Sequence, residues 1–185
     1  MSVVELRSKP VAPPIPDQET AAFKTAMRHL AGAVAVITTG SGEERTGFTA
    51  TSVSSFSMEP PTLIVCLNRA SSSWPIVQNH GGFCVNLLAH EQSHVADRFA
   101  GRGGIKGTGR YEGATWQQQP SGSLGLDGAL VSIDCTLDEA IERHSHAILL
   151  GRVNTVTARG DAEPLLYWHG AYRLLSNLDR VLTQA

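Results

Sequence analysis

Gly47-Phe48-Thr49-Ala50-Thr51-Ser52-Val53-Ser54-Ser55 sets five hydroxyl side chains into nine residues that otherwise read as β-strand. Threonine and valine suit a pleated strand and a hydroxyl facing water costs nothing, so a solvated edge strand is one reading. A binding wall is the other, because Ser and Thr hydroxyls with backbone N–H groups hold phosphate and heterocycle edges without a fixed positive charge. The neighbouring sequence makes the stretch half of a hairpin. Ala33-Val34-Ala35-Val36-Ile37-Thr38-Thr39 is a β-branched apolar run that ends at Gly40-Ser41-Gly42 and leads back into it. Thr62-Leu63-Ile64-Val65-Cys66-Leu67 is a third, buried strand, set off by Pro60-Pro61 and ended by Asn68-Arg69.

Before this hairpin, residues 1–16 carry Pro10, Pro13, Pro14 and Pro16, which deny a helix or sheet its backbone donors, so the segment reads as an arm and residues 17–185 as one domain. The spacing of Ala21, Ala22, Met27, Leu30 and Ala31 predicts an amphipathic helix capped by Asp17 or Thr20 and stopped at Gly32. Beyond the third strand, Ser71-Ser72-Ser73-Trp74-Pro75 opens a second helix with a Ser cap and a proline in its first turn, running to about Asn79 before Gly81-Gly82. Phe83 to Leu88 reads as a strand and Glu91 to Ala100 as a helix. Gly101 to Gly113 holds six glycines with Arg102, Lys106 and Arg110, a mobile loop with positive charge whose length makes it either a functional candidate or simply disordered in isolation. Residues 129–142 and 147–158 read as two long strands, and 165–168 with 171–174 as a short hairpin around His169-Gly170. Seven or eight mostly antiparallel strands with two or three short helices fit a closed β-barrel with helical decorations, because closure removes exposed edges.

A chain of 185 residues with 42% apolar composition buries a real core, and its net charge of −2 lacks the basic footprint of a nucleic-acid binder. No apolar run reaches the length of a membrane span, and Met1 to Arg7 lack the apolar core of a secretion signal, so a cytoplasmic protein is expected. Cys66, Cys84 and Cys135 sit among apolar neighbours without metal-like spacing and read as buried, reduced thiols. His90-Glu91-Gln92-Ser93-His94 matches the H-E-x-x-H zinc signature, which taken literally gives a hydrolase with Glu91 as base. The match starts its helix directly after a strand and lacks an evident third ligand, so the alternative is a helix N-terminus with Glu91 near the dipole. There is no phosphate-loop lysine, dinucleotide fingerprint or nucleophile elbow. His144 and His146, placed on one strand, share a face, either as a metal pair or as one functional histidine with a solvated neighbour.

Taken together, Thr46-Gly47-Phe48-Thr49-Ala50-Thr51-Ser52 with Ser54-Ser55, Pro60-Pro61-Thr62-Leu63, Asn68-Arg69-Ala70-Ser71, Phe83 to Leu88, Gln92, Phe99-Ala100-Gly101, Tyr111, Trp116, His146 before Gly151-Arg152-Val153, and Pro164 to Tyr167 with Gly170 and Tyr172 resemble the short-chain flavin reductases. The likeness covers roughly residues 20–176. It implies the FMN-binding split barrel, a homodimer with flavin near the subunit interface, and a reductase that hands reduced flavin to a flavin-dependent monooxygenase. It also implies hydride transfer from NADH or NADPH to N5 of FMN or FAD. Carried over, it sets Thr49, Ala50, Thr51 and Ser52 against the flavin ring edge and ribityl chain, with Ser54 or Ser55 near phosphate. Asn68, Arg69, Ala70, Ser71 and Ser72 form a second wall, Asn86, Leu87 and Leu88 a third contact, and Lys106 a contact from the glycine-rich loop. Arg69 suits phosphate physically, since a guanidinium holds it bidentately beside the N–H groups of the helix near Ser72. His146 lies beside the nicotinamide in this resemblance, with Tyr172 near the same pocket. Relatives often carry Asp just before that histidine where this chain has Ser145, which removes the carboxylate that would orient it. A non-catalytic flavin- or haem-binding split-barrel protein is the other class that fits.

Overall fold

β-branched and aromatic residues fill the extended segments, and the strands follow them. The computed structural model describes residues 16–160 and 162–175; the proline-rich arm as far as residue 15 and the chain from residue 176 lie outside them. In order the elements are α1 (Asp17–Met27), β1 (Gly32–Ala33), β2 (Ala35–Thr39), β3 (Thr46–Ala50), β4 (Val53–Met58), β5 (Pro61–Asn68), α2 (Trp74–His80), β6 (Gly82–Leu87) and α3 (Ser93–Phe99). They continue as β7 (Trp116–Gln118), β8 (Leu124–Leu126), β9 (Val131–Arg143), β10 (His146–Ala158), β11 (Leu166–Trp168) and β12 (Ala171–Arg173). The chain is mainly β and its strand pairs are antiparallel.

Seven strands form one sheet in the order β3-β2-β6-β9-β10-β5-β4, flanked by the small sheets β1-β11-β12 and β7-β8. The hydroxyl-rich stretch is therefore two strands, not one. β3 pairs with β2 from Ala35↔Ala50 to Thr39↔Thr46, as the hairpin reading expects, whereas β4 pairs with β5 at the opposite edge. The break falls at Thr51-Ser52, where Ser52 Oγ donates to Cys66 O at 3.2 Å and accepts from Cys66 N–H at 3.3 Å on β5. One short segment thus supplies both outer strands of the sheet.

The core divides along the two faces of β2. Ala35 and Ile37 join Val65, Trp74, Phe83 and Leu149 in one cluster, while Val34, Val36, Leu88, Val95, Phe99 and Tyr111 form the other. A strand apolar on both faces reads as a continuous run rather than an alternation. α2 starts after Ser73 with Pro75 in its first turn and ends at Gly81 in the left-handed conformation (φ 71°), where glycine has no Cβ to clash. α1 departs from expectation: it buries no residue, it follows Pro16, and it has no side-chain cap. Phe23, Met27 and Leu30 are 63%, 46% and 71% exposed, so among the described residues little covers its apolar face.

Other differences have local causes. His144 and Ser145 form the turn between β9 and β10, with His144 at φ 51°, so His144 does not share a strand face with His146. The expected helix over Glu91 to Ala100 begins as a 3-10 turn at His90–Gln92 before α3. The glycine-rich segment is folded as two 3-10 turns, Arg102–Gly104 and Gly107–Tyr111. Arg98 of α3 holds it, donating to Gly109 O and pairing with Glu112 at 2.8 Å. β1, β7 and β8 are two or three residues long and carry no periodicity from which to predict them. The three cysteines are free, Cys84 and Cys135 buried and Cys66 half-buried. No helix among the described residues is long and apolar enough to cross a membrane.

Candidate functional site

β3 and β5 run on either side of a cleft of about 320 Å³. Phe48, Thr49, Ala50 and Ser52 line one side and Cys66, Leu67, Asn68 and Ser71 another, with Phe99, Ala100, Arg110 and His146 completing it. A second cleft of about 240 Å³ shares Thr49, Ala50 and Ala100 with the first and adds Val34, Thr51, Arg102, Tyr167 and Tyr172. The fold thus gathers around Thr49-Ala50 residues that lie more than a hundred positions apart in sequence. Thr49 Oγ1 donates to Ala96 O at 2.6 Å, which fixes the wall to α3 and leaves the oxygen lone pairs to accept.

His146 is the first residue of β10 and pairs in register with Asn68 of β5. Its Nδ1 lies 2.9 Å from Ser145 Oγ, a hydrogen-bond contact that holds the orientation of the ring. The turn bearing it is anchored in turn by Arg69, whose N–H donates to Ser145 O at 2.9 Å and whose Nη1 donates to His144 O at 3.1 Å. Tyr172 O–H donates to Asp97 Oδ1 at 2.7 Å, and Arg102 pairs with the same oxygen at 3.2 Å. Burial first, and then Asp97, pushes the Tyr172 phenol above its ordinary range, so it remains a donor.

Several expected contacts do not reach either cleft. Arg69 is ion-paired with Glu142 and lies outside the lining, and its hydrogen bonds brace the hairpin of His146. Ala70 and Ser72 are exposed beside it. Ser54, Ser55 and Leu87 line a separate apolar groove, and Leu88 is buried in the second core cluster. Asn86 is fully buried and committed to Val36 O at 3.2 Å, Leu126 N–H at 2.7 Å and Ser132 Oγ at 2.8 Å, an internal strut between sheets. Lys106 is exposed and outside the lining.

Arg110 is the residue that sequence reasoning left in the loop. It is 8% exposed, lines the first cleft, and its Nη1 donates to Thr46 Oγ1 at 3.1 Å, Ser73 Oγ at 3.4 Å and Gly47 O. Burial lowers its pKa. The buried aromatic Tyr111 that follows it was the available signal, since a loop rooted by a core side chain is not free to be solvated.

The zinc alternative loses its geometry. His90 sits in the 3-10 turn and His94 is exposed on α3. Glu91 pairs with His90 at 3.1 Å and with Arg159 at 2.7 Å, and its own N–H, ahead of Arg159, holds its carboxyl below the usual range. A base so engaged is not poised for water, and no group of three or more His, Cys, Asp or Glu among the described residues is placed to hold a metal.

A cleft walled by hydroxyls and backbone, with a histidine and a tyrosine at its margins, is the arrangement that the flavin reductase resemblance implies. The flavin reductase like domain matches residues 27–176. The chain belongs to this family. Among flavin reductase relatives, the FMN reductase (NADH) RutF of Methylorubrum extorquens is 41% identical over 183 residues, covering 97% of this chain and 85% of the relative. The protein of the same name from Cronobacter turicensis is 39% identical over 158 residues, covering 85% and 94%. Among solved structures, the flavin reductase domain protein of Arthrobacter sp. FB24 superposes with a TM-score of 0.77 at 31% identity, covering 86% of this chain and 98% of that one. BorF, the flavin reductase component of a bacterial two-component tryptophan halogenase, gives 0.78 at 28%, covering 85% and 99%.

Proposed function

We propose that this flavin reductase uses NADH to reduce FMN, bound in the cleft between Thr49-Ala50 and Asn68-Ser71. The observation that carries the reading is His146, brought from β10 to the same cleft and held at Nδ1 by Ser145. The lining fits a flavin: it contains no carboxylate, it offers Ser52, Asn68 and Ser71 as polar contacts, and Arg110 supplies positive charge. The names borne by the M. extorquens and C. turicensis relatives favour FMN and NADH over FAD and NADPH.

When both are bound, nicotinamide and flavin supply the chemistry, a hydride passing to flavin N5. The protein's part is to bind, orient and dry the site. Phe48, Leu67 and Phe99 would exclude water, and to the backbone N–H groups of β3 we assign the stabilisation of negative charge developing on the ring. With Nδ1 engaged by Ser145, His146 presents its Nε2 to the nicotinamide. The protein would in this way supply a flavin-dependent monooxygenase, a reading in keeping with BorF being one component of a two-component system.

The sheet is read as the split barrel, its outer strands β3 and β4 meeting at Thr51-Ser52. A second copy of the chain covers the apolar groove lined by Met27, Leu30, Val53, Met58, Leu63 and Val156, giving a homodimer. Met58 in it and Phe56 on the same strand are 79% and 63% exposed, apolar surface of the kind that marks an interaction site. We place the protein in the cytoplasm, where its free thiols stay reduced. A steady-state assay crossing FMN and FAD with NADH and NADPH, with and without chelator, tests the assignment. NADH oxidation that depends on added FMN and ignores chelator is expected. Flavin binding without turnover on either nicotinamide would leave a carrier in its place.

A further inference from the structure

The two clefts adjoin at Thr49, Ala50 and Ala100, and each holds one arginine. Arg110 in the first is buried, and its Nη1 is fixed to β3 and to Ser73. Arg102 in the second is 60% exposed and is the one charged side chain among the described lining residues. What holds Arg102 is a residue outside both linings. Asp97 stands on α3 directly after Ala96, whose carbonyl accepts from Thr49 Oγ1 at 2.6 Å. Its Oδ1 accepts from Tyr172 O–H at 2.7 Å and pairs with Arg102 Nη1 at 3.2 Å. The Arg102 guanidinium in turn lies 5.9 Å from the centre of the Tyr172 ring. One carboxylate oxygen therefore joins α3, the glycine-rich segment and β12 beside the second cleft.

The two contacts on that oxygen are unequal. A hydroxyl donating to a carboxylate at 2.7 Å is short and charge-assisted, and it is made by a half-buried phenol that burial and Asp97 keep protonated. The Arg102 pair is longer, at 3.2 Å, between side chains 60% and 38% exposed, where water screens the attraction and the pair contributes little. An anion entering the second cleft would take Arg102 from Asp97 and leave Tyr172 where it is. The pyrophosphate of a nicotinamide dinucleotide is such an anion, and a guanidinium matches its oxygens.

We propose that Asp97 is a positioning residue for NADH, anchoring Tyr172 and holding Arg102 in reserve until an anionic group of the dinucleotide takes the guanidinium. The inference rests on the flavin reductase reading above, in which NADH lies against the flavin. Asp97 then acts in two opposed ways: it fixes a tyrosine of the cleft wall, and its charge competes with the ligand for Arg102. Two substitutions at the one position separate these parts. Asparagine keeps a carbonyl that Tyr172 can bond but lacks the charge that retains Arg102. Alanine lacks both. A residue that only supported the fold would give two losses, whereas this arrangement gives a gain with asparagine and a loss with alanine.

The test is steady-state NADH oxidation with FMN, together with fluorescence titration of FMN, on the full chain and its variants. Asp97→Asn should lower KM for NADH about two- to fivefold with kcat within about twofold, the range set by the strength of an exposed ion pair. Arg102→Gln should raise that KM about three- to tenfold, and the double variant Asp97→Asn/Arg102→Gln should match Arg102→Gln, the gain having no guanidinium to act through. Asp97→Ala and Tyr172→Phe should each lower kcat by about fivefold or more, and FMN affinity should stay within about twofold throughout. An Asp97→Asn protein whose KM rises, or whose losses equal those of Asp97→Ala, would overturn the proposal. So would a gain that survives in the double variant. Asp97→Asn, Arg102→Gln and Tyr172→Phe decide the matter even where Asp97→Ala fails to fold. Each of these failures leaves the reductase reading intact, whereas a wild type that binds FMN without oxidising NADH would remove that reading and this role with it.

Discussion

Gly47 stands at the foot of the cleft wall, and replacing it with alanine adds one methyl group where the fold has no room. A Cβ there would lie 2.3 Å from Ile37 O and 2.7 Å and 2.8 Å from two ring carbons of Phe99. Ile37 O is backbone of the neighbouring strand and Phe99 is 1% exposed, so neither neighbour is the flexible end of a surface side chain. Overpacking of a fixed core costs about 1–3 kcal/mol, and contacts this close to backbone put Gly47→Ala near the upper end. For a chain of this size each kcal/mol shifts Tm by about 2–4 °C, so the variant should melt roughly 6–12 °C below wild type. Relief by moving β3 outward would carry Thr49 and Ala50 with it and weaken flavin binding as well. Gly160→Ala is the control, since a Cβ there meets nothing within 4 Å, and it should melt within about 2 °C of wild type. Thermal unfolding followed by circular dichroism reads both. A Gly47→Ala protein melting with the control would refute the packing argument for this wall.

His146→Ala should raise KM for NADH about tenfold while changing flavin affinity less than about threefold, and equal losses in both would remove the nicotinamide role. Ser145→Ala, which only frees the ring, should lower kcat/KM for NADH by about two- to tenfold in steady-state assays; no change would mean that the hydroxyl orients nothing that matters. Burial pushes the Cys135 thiol from 9.0 up to about 12 and Cys84 up as well, so both stay protonated in the fold. A thiol raised in the folded state favours folding fully below its unfolded value and loses that contribution as pH rises, so urea midpoints should hold from neutral pH to about 9 and decline between about 9 and 12. Midpoints flat to pH 11 would contradict their burial. Met58→Asp, placed on the apolar groove, should convert a dimer to monomer in light scattering coupled to size exclusion; an unchanged mass would assign the groove elsewhere.

Much of this was legible where burial and turn chemistry act locally. The continuous run at 33–39 becomes a strand buried on both faces, and the positive φ angles of His169 and Gly170 make the turn between β11 and β12. The division at Thr51-Ser52 was not legible, because each half of the stretch has the same strand composition and the break is set by Ser52 binding β5 across the sheet. The site was half legible for the same reason. Thr49, Ala50, Asn68, Ser71 and His146 could be placed through a family likeness, but which arginine faces the cleft depends on pairing partners. Glu142, distant in sequence, takes Arg69, and the rooted Tyr111 and Arg98 turn the glycine-rich segment inward with Arg110. The H-E-x-x-H match failed because Arg159, far along the chain, occupies the glutamate.

The central claim is that this cleft lets NADH reduce flavin. Anaerobic rapid mixing of the purified protein with NADH and FMN, followed by absorbance, tests it most directly. The account predicts that oxidised flavin and NADH disappear together, in equal amounts, at a rate that falls sharply in His146→Ala. Flavin that stays oxidised in the presence of excess NADH and protein would contradict it.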